Sequence, residues 1–132
     1  MYPEKIIFTP VKSALMNIEE LRAYCLSLKG VTEDFPFDEN TLVFKVVGKM
    51  FCMTDLEGDL SINVKNEPEK NIELREEYPA IKPGYHMSKI HWNTVDIDGS
   101  IPDDFIKNLI DESYDLVVMK LKRQEQQKLK SY

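Results

Sequence analysis

The chain has few of the residues that mark metal centres or the common classes of enzyme. Its two cysteines, Cys25 and Cys52, lie far apart among apolar residues, a setting typical of buried reduced thiols. Its two histidines, His86 and His91, have no further ligands at the spacing of a zinc site. The GxSxG, HExxH, P-loop and GxGxxG motifs are all absent from the sequence. We therefore predict a protein without a metal, a cofactor or catalytic activity.

Long apolar runs are also missing. The run Ile6-Ile7-Phe8 is too short for the core of a signal peptide, and Pro10 interrupts it. No segment reaches the roughly 18–20 apolar residues of a membrane span. These observations predict a cytoplasmic protein with no membrane partner.

Basic residues are too few to make the whole surface positive. The 132 residues include 17 basic and 23 acidic side chains, which gives a formal net charge of −6. This balance argues against nonspecific binding of nucleic acid by the surface as a whole. It is compatible with a local basic patch, because salt screens charges beyond about 8–10 Å. The length fits a single domain.

Apolar periodicity predicts helices that alternate with antiparallel strands. Asn17 and Glu20 form the pattern of a capping box, and Gly30 is a left-handed end for the helix that follows. The predicted elements are a helix at 17–30, strands at 42–47, 50–54 and 60–65, a helix from Asn66 to about 78, a strand at 90–97 with a short partner at 85–87, and a helix from Ser100 past 122. This order, α-β-β-β-α-β-(β)-α, predicts an α+β fold with helices packed on one face of an antiparallel β-sheet.

Three segments are predicted to lie outside these elements. Residues 1–15 form an N-terminal extension or an added strand, although Thr9 and Pro10 also fit an earlier helix start. The compact domain spans residues 16–123, and the basic tail at 124–132 is predicted to fray. The loop with Phe35-Pro36-Phe37 is predicted to place both phenylalanines against the core.

The segment 78–95 contains no acidic residue, although the chain is acidic. A locally basic and aromatic segment is where a ligand or partner is most readily bound. Lysines supply the point charges that phosphate contact needs, and an aromatic ring can stack on a base. The candidate binding residues, from this segment and the neighbouring strands, are Lys45, Lys49, Lys65, Lys82, Tyr85, His86, Lys89, His91 and Trp92.

A series of short motifs resembles the MmcQ/YjbR family of small bacterial proteins. The motifs are Glu33-Asp34-Phe35-Pro36-Phe37, Val43-Phe44-Lys45, Gly48-Lys49-Met50-Phe51, residues 60–65, residues 83–89, His91-Trp92, Ile101-Pro102-Asp103 and Ser113-Tyr114. They cover residues 16–122. The resemblance implies a compact α+β domain similar to frataxin-like and secretion-chaperone-like architectures. It also implies DNA binding, because two β-hairpins of the family project like a double wing.

Two functions from different classes follow. The first is DNA binding through the basic sheet face and residues 83–92, which the acidic turn at 55–59 opposes. The second is a protein-interaction or chaperone-like module with no nucleic-acid or catalytic activity, for which an open sheet or an edge strand provides a surface. The sheet face with Lys45 and Lys65 discriminates between them. A positive face that is open to solvent favours nucleic acid, whereas a face that is apolar and paired favours protein association.

Overall fold

The computed structural model describes residues 15–84 and 87–132, and their fold is the predicted α+β class. α1 spans Ile18–Ser27, β1 Val31–Asp34, β2 Thr41–Val46, β3 Lys49–Asp55, β4 Ser61–Lys65, α2 Pro68–Glu77, β5 Ile81–Pro83, β6 Trp92–Asp96, α3 Asp103–Met119 and α4 Arg123–Lys130. The strands form one antiparallel sheet in the order β1-β2-β3-β4-β6-β5. Within the described ranges, no helix is long and apolar enough to cross a membrane.

The main core lies between one face of the sheet and the helices. Leu21 of α1, Phe44 of β2 and Ile110 of α3 are fully buried in it. Cys25 and Cys52 are free and buried in the same core, which confirms the prediction of reduced thiols. A hydrogen bond with Cys25, together with burial, raises the pKa of the Cys52 thiol well above its usual value. The thiol form is therefore favoured, and Cys52 is a poor nucleophile at neutral pH.

A smaller cluster lies on the opposite face of the sheet, which we call the second face. Val43, Met53 and Trp92 are buried there, with Met50 and Met87 packed against them. None of the described helices contributes a residue to this cluster. The sheet is thus apolar on both sides at its centre.

A β-bulge in β3 lets two successive residues reach the main core. Phe44 faces Cys52 across the β2–β3 pair, whereas Lys45 faces Met50, so Phe51 is the extra residue. Phe51 and Cys52 are both fully buried in the main core. The Phe51 ring also meets the Tyr114 ring of α3 edge to face, with centroids 5.4 Å apart.

Ser113 of α3 completes the hydrogen bonding beside this bulge. Its Oγ donates to the backbone oxygen of Phe51 at 2.5 Å and accepts from the backbone N–H of Lys65 at 2.8 Å. The last residue pair between β3 and β4 on this side is Cys52–Val64, so both backbone groups lie beyond the ladder. One buried hydroxyl therefore pairs two backbone groups that the sheet does not pair.

The sequence identified the helices but misplaced several ends. The predicted capping box of Asn17 and Glu20 is present, whereas α1 ends at Ser27 and Gly30 adopts its left-handed φ of 74° in the following turn. Asn66 does not cap α2: its side chain donates to Glu112 Oε1 at 2.7 Å, and Glu67 is the N-cap.

The start of the last predicted helix also differs. Ser100 donates its hydroxyl to Asp98 at 2.6 Å, and Pro102 is the N-cap of α3. The residues 120–122 break the helix, and α4 then buries Leu129 against the core instead of fraying. The predictions for residues 1–14, including a helix start at Thr9, lie outside the described residues.

One strand prediction was wrong, since Glu33 and Asp34, expected in a loop, belong to the edge strand β1, which pairs with β2. Among the described residues, β6 pairs with β4 and with β5 at Ile81–Pro83, a strand that the sequence did not predict. The short partner predicted at 85–87 includes Tyr85 and His86, which lie outside the described residues. The placement of Phe35 and Phe37 against the core was also wrong, because they are 47% and 64% exposed.

We predict that Ser113→Ala lowers the free energy of unfolding by about 1–3 kcal/mol, because it leaves a buried carbonyl and a buried amide without a partner. Urea unfolding monitored by circular dichroism measures this change. Ser27→Ala is the matched control, because Ser27 also donates to a backbone oxygen but is exposed. Equal unfolding free energies for the two variants would show that the bulge does not depend on the Ser113 hydroxyl.

Candidate interaction surfaces

The sheet has two chemically different ends. We call one the hairpin end, because the β2–β3 turn at Val47 and Gly48 and the loop between β5 and β6 both lie there. Six of the predicted binding residues are near this end, namely Lys45, Lys49, Lys65, Lys89, His91 and Trp92. Lys82 lies further along the sheet, opposite Thr94. The structure thus places lysines from four separate segments near one end of the sheet.

The opposite end, which we call the acidic end, consists of residues 35–41, 55–60 and 96–98. These segments contain no lysine or arginine. Their carboxylates are Asp38, Glu39, Asp55, Glu57, Asp59, Asp96 and Asp98. Hydrogen bonds from Asn40 and Thr41 lower the pKa of Asp38, and hydrogen bonds from Ser100 lower that of Asp98. These two carboxylates therefore keep their negative charge in mildly acidic solution.

The lysines of the second face have partners within the chain. Lys45 Nζ lies 3.2 Å from Asp34 Oδ2, and Lys82 Nζ lies 2.6 Å from Asp96 Oδ2. Exposed pairs of this kind are worth about 0.2–1 kcal/mol, so they reduce the positive potential without locking the side chains. The predicted basic sheet face is consequently close to neutral.

Lys65 and Trp92 interact directly across the sheet. They are paired in the β4–β6 register, and the Lys65 ammonium lies 5.8 Å from the centroid of the indole ring. Trp92 is only 7% exposed and packs with Val43 and Met53. Its ring therefore offers little free surface for stacking on a base. The other predicted stacking residue, Tyr85, and its neighbour His86 lie outside the described residues.

A polar network that the sequence analysis missed holds the loop between β5 and β6. Arg75 of α2 donates through Nε to Asn93 Oδ1 at 2.6 Å and through its guanidinium to the backbone oxygens of Lys89 and Trp92. Asn93 Nδ2 donates to Asn71 Oδ1 at 2.9 Å. Both asparagines are almost completely buried, so this network is shielded from water.

The same loop is held at two further points. Asn71 Nδ2 donates to the backbone oxygen of Ile90 at 2.9 Å, and the Gly84 N–H donates to the backbone oxygen of Trp92 at 2.8 Å. A Cβ at position 84 would lie 2.7 Å from the Cβ of Trp92, so this close approach requires glycine. The described part of the acid-free segment is thus positioned by α2 and β6.

The acidic end exposes a group of large apolar side chains. Leu15, Phe35, Phe37 and Leu56 are 48%, 47%, 64% and 45% exposed, respectively. An open groove of about 730 Å³ contains Leu15, Ile18 and Leu56 in its lining. A second groove of about 550 Å³ shares Ile18 and Leu56 and extends to Phe35. Sequence reasoning missed this surface because it assigned the phenylalanines to the core.

The described residues offer little chemistry for catalysis. They contain no group of three or more histidine, cysteine or acidic residues that could hold a metal ion. Burial, with a 2.6 Å hydrogen bond to Asp111, raises the pKa of Tyr24 to about 12. This tyrosine is therefore a structural donor rather than an acid that titrates near neutral pH.

Comparisons with known proteins identify the family. The sequence model of the YjbR family matches residues 26–116. The chain is 36% identical over 113 residues to the uncharacterised protein YbdF of Escherichia coli O157:H7, a match that covers 85% of this chain and 93% of YbdF. It is 35% identical over 104 residues to the uncharacterised protein YjbR of Escherichia coli K12, covering 78% and 88% of the two chains. The chain belongs to the YjbR family, as its motifs predicted.

Solved structures show the same fold. The crystal structure of Deinococcus radiodurans protein DR2400, with the DUF419 domain, matches with a TM-score of 0.82 and 39% identity over 87% of this chain and 88% of that one. A protein from Pseudomonas syringae matches with a TM-score of 0.68 and 28% identity over 76% of this chain and 98% of that one.

We predict that Arg75→Met loosens the loop between β5 and β6, because the loop loses its hydrogen bonds to the guanidinium while the aliphatic stem is retained. Trp92 is the only tryptophan, so acrylamide quenching of its fluorescence reports on this region alone. Quenching should increase by about twofold or more, as expected for local opening. Lys70→Met is the matched control, because Lys70 is also on α2 but makes only a solvent-exposed pair with Glu112. Unchanged quenching in Arg75→Met would contradict the assigned role of Arg75.

Proposed function

We propose that this YjbR-family protein is a non-catalytic module that binds another protein through the acidic end of its sheet. The observation that carries the proposal is the exposure of Leu15, Phe35 and Leu56 in the lining of two grooves that share Ile18 and Leu56, with exposed Phe37 two residues beyond Phe35. Contiguous exposed apolar side chains rimmed by polar residues are typical of protein-interaction sites. The pairing of Lys45 and Lys82 with aspartates also favours protein association over nucleic acid as the use of the second face.

The proposal includes a cytoplasmic location. Both cysteines are buried as free thiols, although they are close enough for one thiol to hydrogen-bond the other. Unpaired thiols are typical of proteins from a reducing compartment. A cytoplasmic protein would meet both nucleic acid and protein partners, so location does not discriminate between the two functions.

DNA binding is a second candidate, and the position of the lysines is the observation that favours it. Lys45 and Lys65 lie on alternate strands, β2 and β4, of a sheet whose neighbouring strands are about 4.8 Å apart. Lys49 and Lys89 lie at the hairpin end, near the tips of the two hairpins, where Lys49 pairs with the core residue Val46 and so lies on the helix side of the sheet. Their combined charge provides an anchor for phosphate that requires no base recognition.

In-cell photo-crosslinking tests the protein-binding proposal. We expect p-benzoylphenylalanine at position 37 to form adducts that resist nuclease and disappear after proteolysis of the partner, because Phe37 is the most exposed aromatic residue of the surface. The same photoreactive residue at position 72 is the control, since Ile72 is 55% exposed but lies on α2. Leu56→Asp should remove the adducts at position 37. Equal adducts at the two positions, or adducts that survive Leu56→Asp, would contradict the assigned surface.

Titration with nucleic acid tests the second candidate. If DNA binds at the hairpin end, NMR shifts of Lys45, Lys49 and Lys65 should appear with a short duplex or single strand and weaken steeply with salt. Lys45→Glu combined with Lys65→Glu should abolish them, whereas Lys29→Glu combined with Lys107→Glu, on the helices' side, should not. An absence of shifts at millimolar DNA, or unchanged binding by the first double variant, would exclude this face.

A further inference from the structure

The partner of the acidic end can be specified by its chemistry. This inference rests on the proposed function and asks which protein segment the surface would select. The larger groove combines apolar side chains, including Leu15, Ile18 and Leu56, with the carboxylates of Asp55, Asp59, Asp96 and Asp98. No lysine or arginine lines it. A ligand must therefore supply apolar groups to the groove and positive charge to its rim.

The adjoining groove has the same character. Its apolar lining includes Phe35 and Leu42, and its acidic residues include Glu33 and Asp34. The one cation in its lining, Arg22, is held by Glu33 through two hydrogen bonds from Nε of 2.8 and 3.0 Å and a further contact from its guanidinium. Because this charge is already compensated, it does not oppose an incoming cation.

Two of the four carboxylates at the rim of the larger groove lie near Lys82. Asp96 forms an ion pair with Lys82, and the charge of Lys82 contributes to the lowered pKa of Asp98. Within the described residues, the Asp55 side chain accepts from the backbone N–H of Glu57, at 2.9 Å, and neither Asp55 nor Asp59 forms an ion pair. Several carboxylates within about one Debye length of each other create a local negative potential that a bound cation would relieve.

We propose that the acidic end binds a cationic amphipathic segment of another protein, with leucine-like side chains in the grooves and lysine or arginine on the carboxylates. Oppositely charged surfaces raise the association rate and select the partner, whereas apolar burial supplies most of the affinity. Nucleic acid is disfavoured at this end, since phosphate would face the same carboxylates.

A second copy of the chain fits this surface less well. A two-fold dimer would place each acidic end against its equivalent, so like charges would meet across the interface. A contact between the acidic end of one copy and a basic surface of the next would join copies head to tail, and it would produce a ring or an open filament rather than a two-fold dimer. A separate cationic partner avoids both problems.

Binding of designed peptides to the full chain tests the inference. The probe is a fluorescently labelled amphipathic peptide of leucine and lysine, compared with a leucine–glutamate peptide of the same pattern and a scrambled leucine–lysine peptide. Fluorescence anisotropy should show binding of the amphipathic cationic peptide only, with an affinity that falls as salt increases. Chemical-shift changes should map to Leu15, Phe35 and Leu56.

Matched variants separate the charged contribution from the apolar one. Asp55→Asn combined with Asp59→Asn should weaken binding roughly fivefold, the effect of losing two exposed ion pairs. The asparagine at position 55 can still accept the turn hydrogen bond, so the fold is retained. Leu56→Ser should weaken binding about tenfold through lost apolar burial. The controls are Glu69→Gln with Glu73→Gln for charge and Ile72→Ser for apolar exposure, all on α2 and all expected to leave the affinity unchanged.

The outcomes distinguish this inference from the proposed function. Equal binding of the leucine–glutamate peptide, or no effect of the aspartate variants, would overturn the cationic partner while adducts at position 37 would still support protein binding. If the cationic peptide does not bind and position 37 forms no adducts, both proposals are overturned. Sedimentation velocity over a range of protein concentrations tests whether a second copy of the chain occupies this surface instead. A dimer that Leu56→Ser dissociates would show that a second copy covers this surface.

Discussion

The hydroxyl of Ser113 is the contact on which the geometry of the sheet depends. The bulge at Phe51 brings one more large side chain into the main core, and beyond it the β3–β4 pairing ends at Cys52 and Val64. The serine joins the Phe51 carbonyl to the Lys65 amide there. Lys65 is also paired with Trp92 in the β4–β6 register, and its ammonium lies 5.8 Å from the centroid of the indole ring on the second face. Through Ser113, the helix α3 thus holds the backbone of a residue whose side chain lies on the opposite face of the sheet.

The electrostatic potential at each end of the sheet depends more on how charged residues are distributed along the strands than on the net charge of the chain. A strand such as β3, with seven residues, extends over about 20 Å, which is roughly twice the Debye length at physiological salt. The lysines at the hairpin end and the carboxylates at the acidic end are therefore largely screened from each other by salt. The net charge of −6 does not show this difference between the two ends, because it is a sum over the whole chain. Each end has to be judged by its own side chains.

Local patterns predicted the elements better than they predicted surfaces. The capping box at Asn17 and the alternation along β4 depend on neighbouring residues, and both are as expected. The edge strand β1 has acidic residues at Glu33 and Asp34, so its sequence resembles a loop until β2 is known to pair with it. The buried pair Asn71 and Asn93 could not be inferred, because asparagine is usually exposed and the pair is 22 residues apart.

The candidate interaction surfaces also depend on contacts between residues that are distant in the sequence, and local patterns did not predict these contacts. The sequence identified the lysines that lie near the hairpin end. It did not predict the strand β1, and so it did not predict that Asp34 of β1 pairs with Lys45. Phe35 and Phe37 were predicted to pack against the core from their loop, and burial of a phenylalanine is generally worth about 1.5–3 kcal/mol. In the structure both side chains are exposed, and neither belongs to the main core. Exposed phenylalanines beside Asp38, a carboxylate whose pKa is lowered by hydrogen bonds, add little apolar burial to the domain, and this is why the proposed function assigns them to an interaction surface.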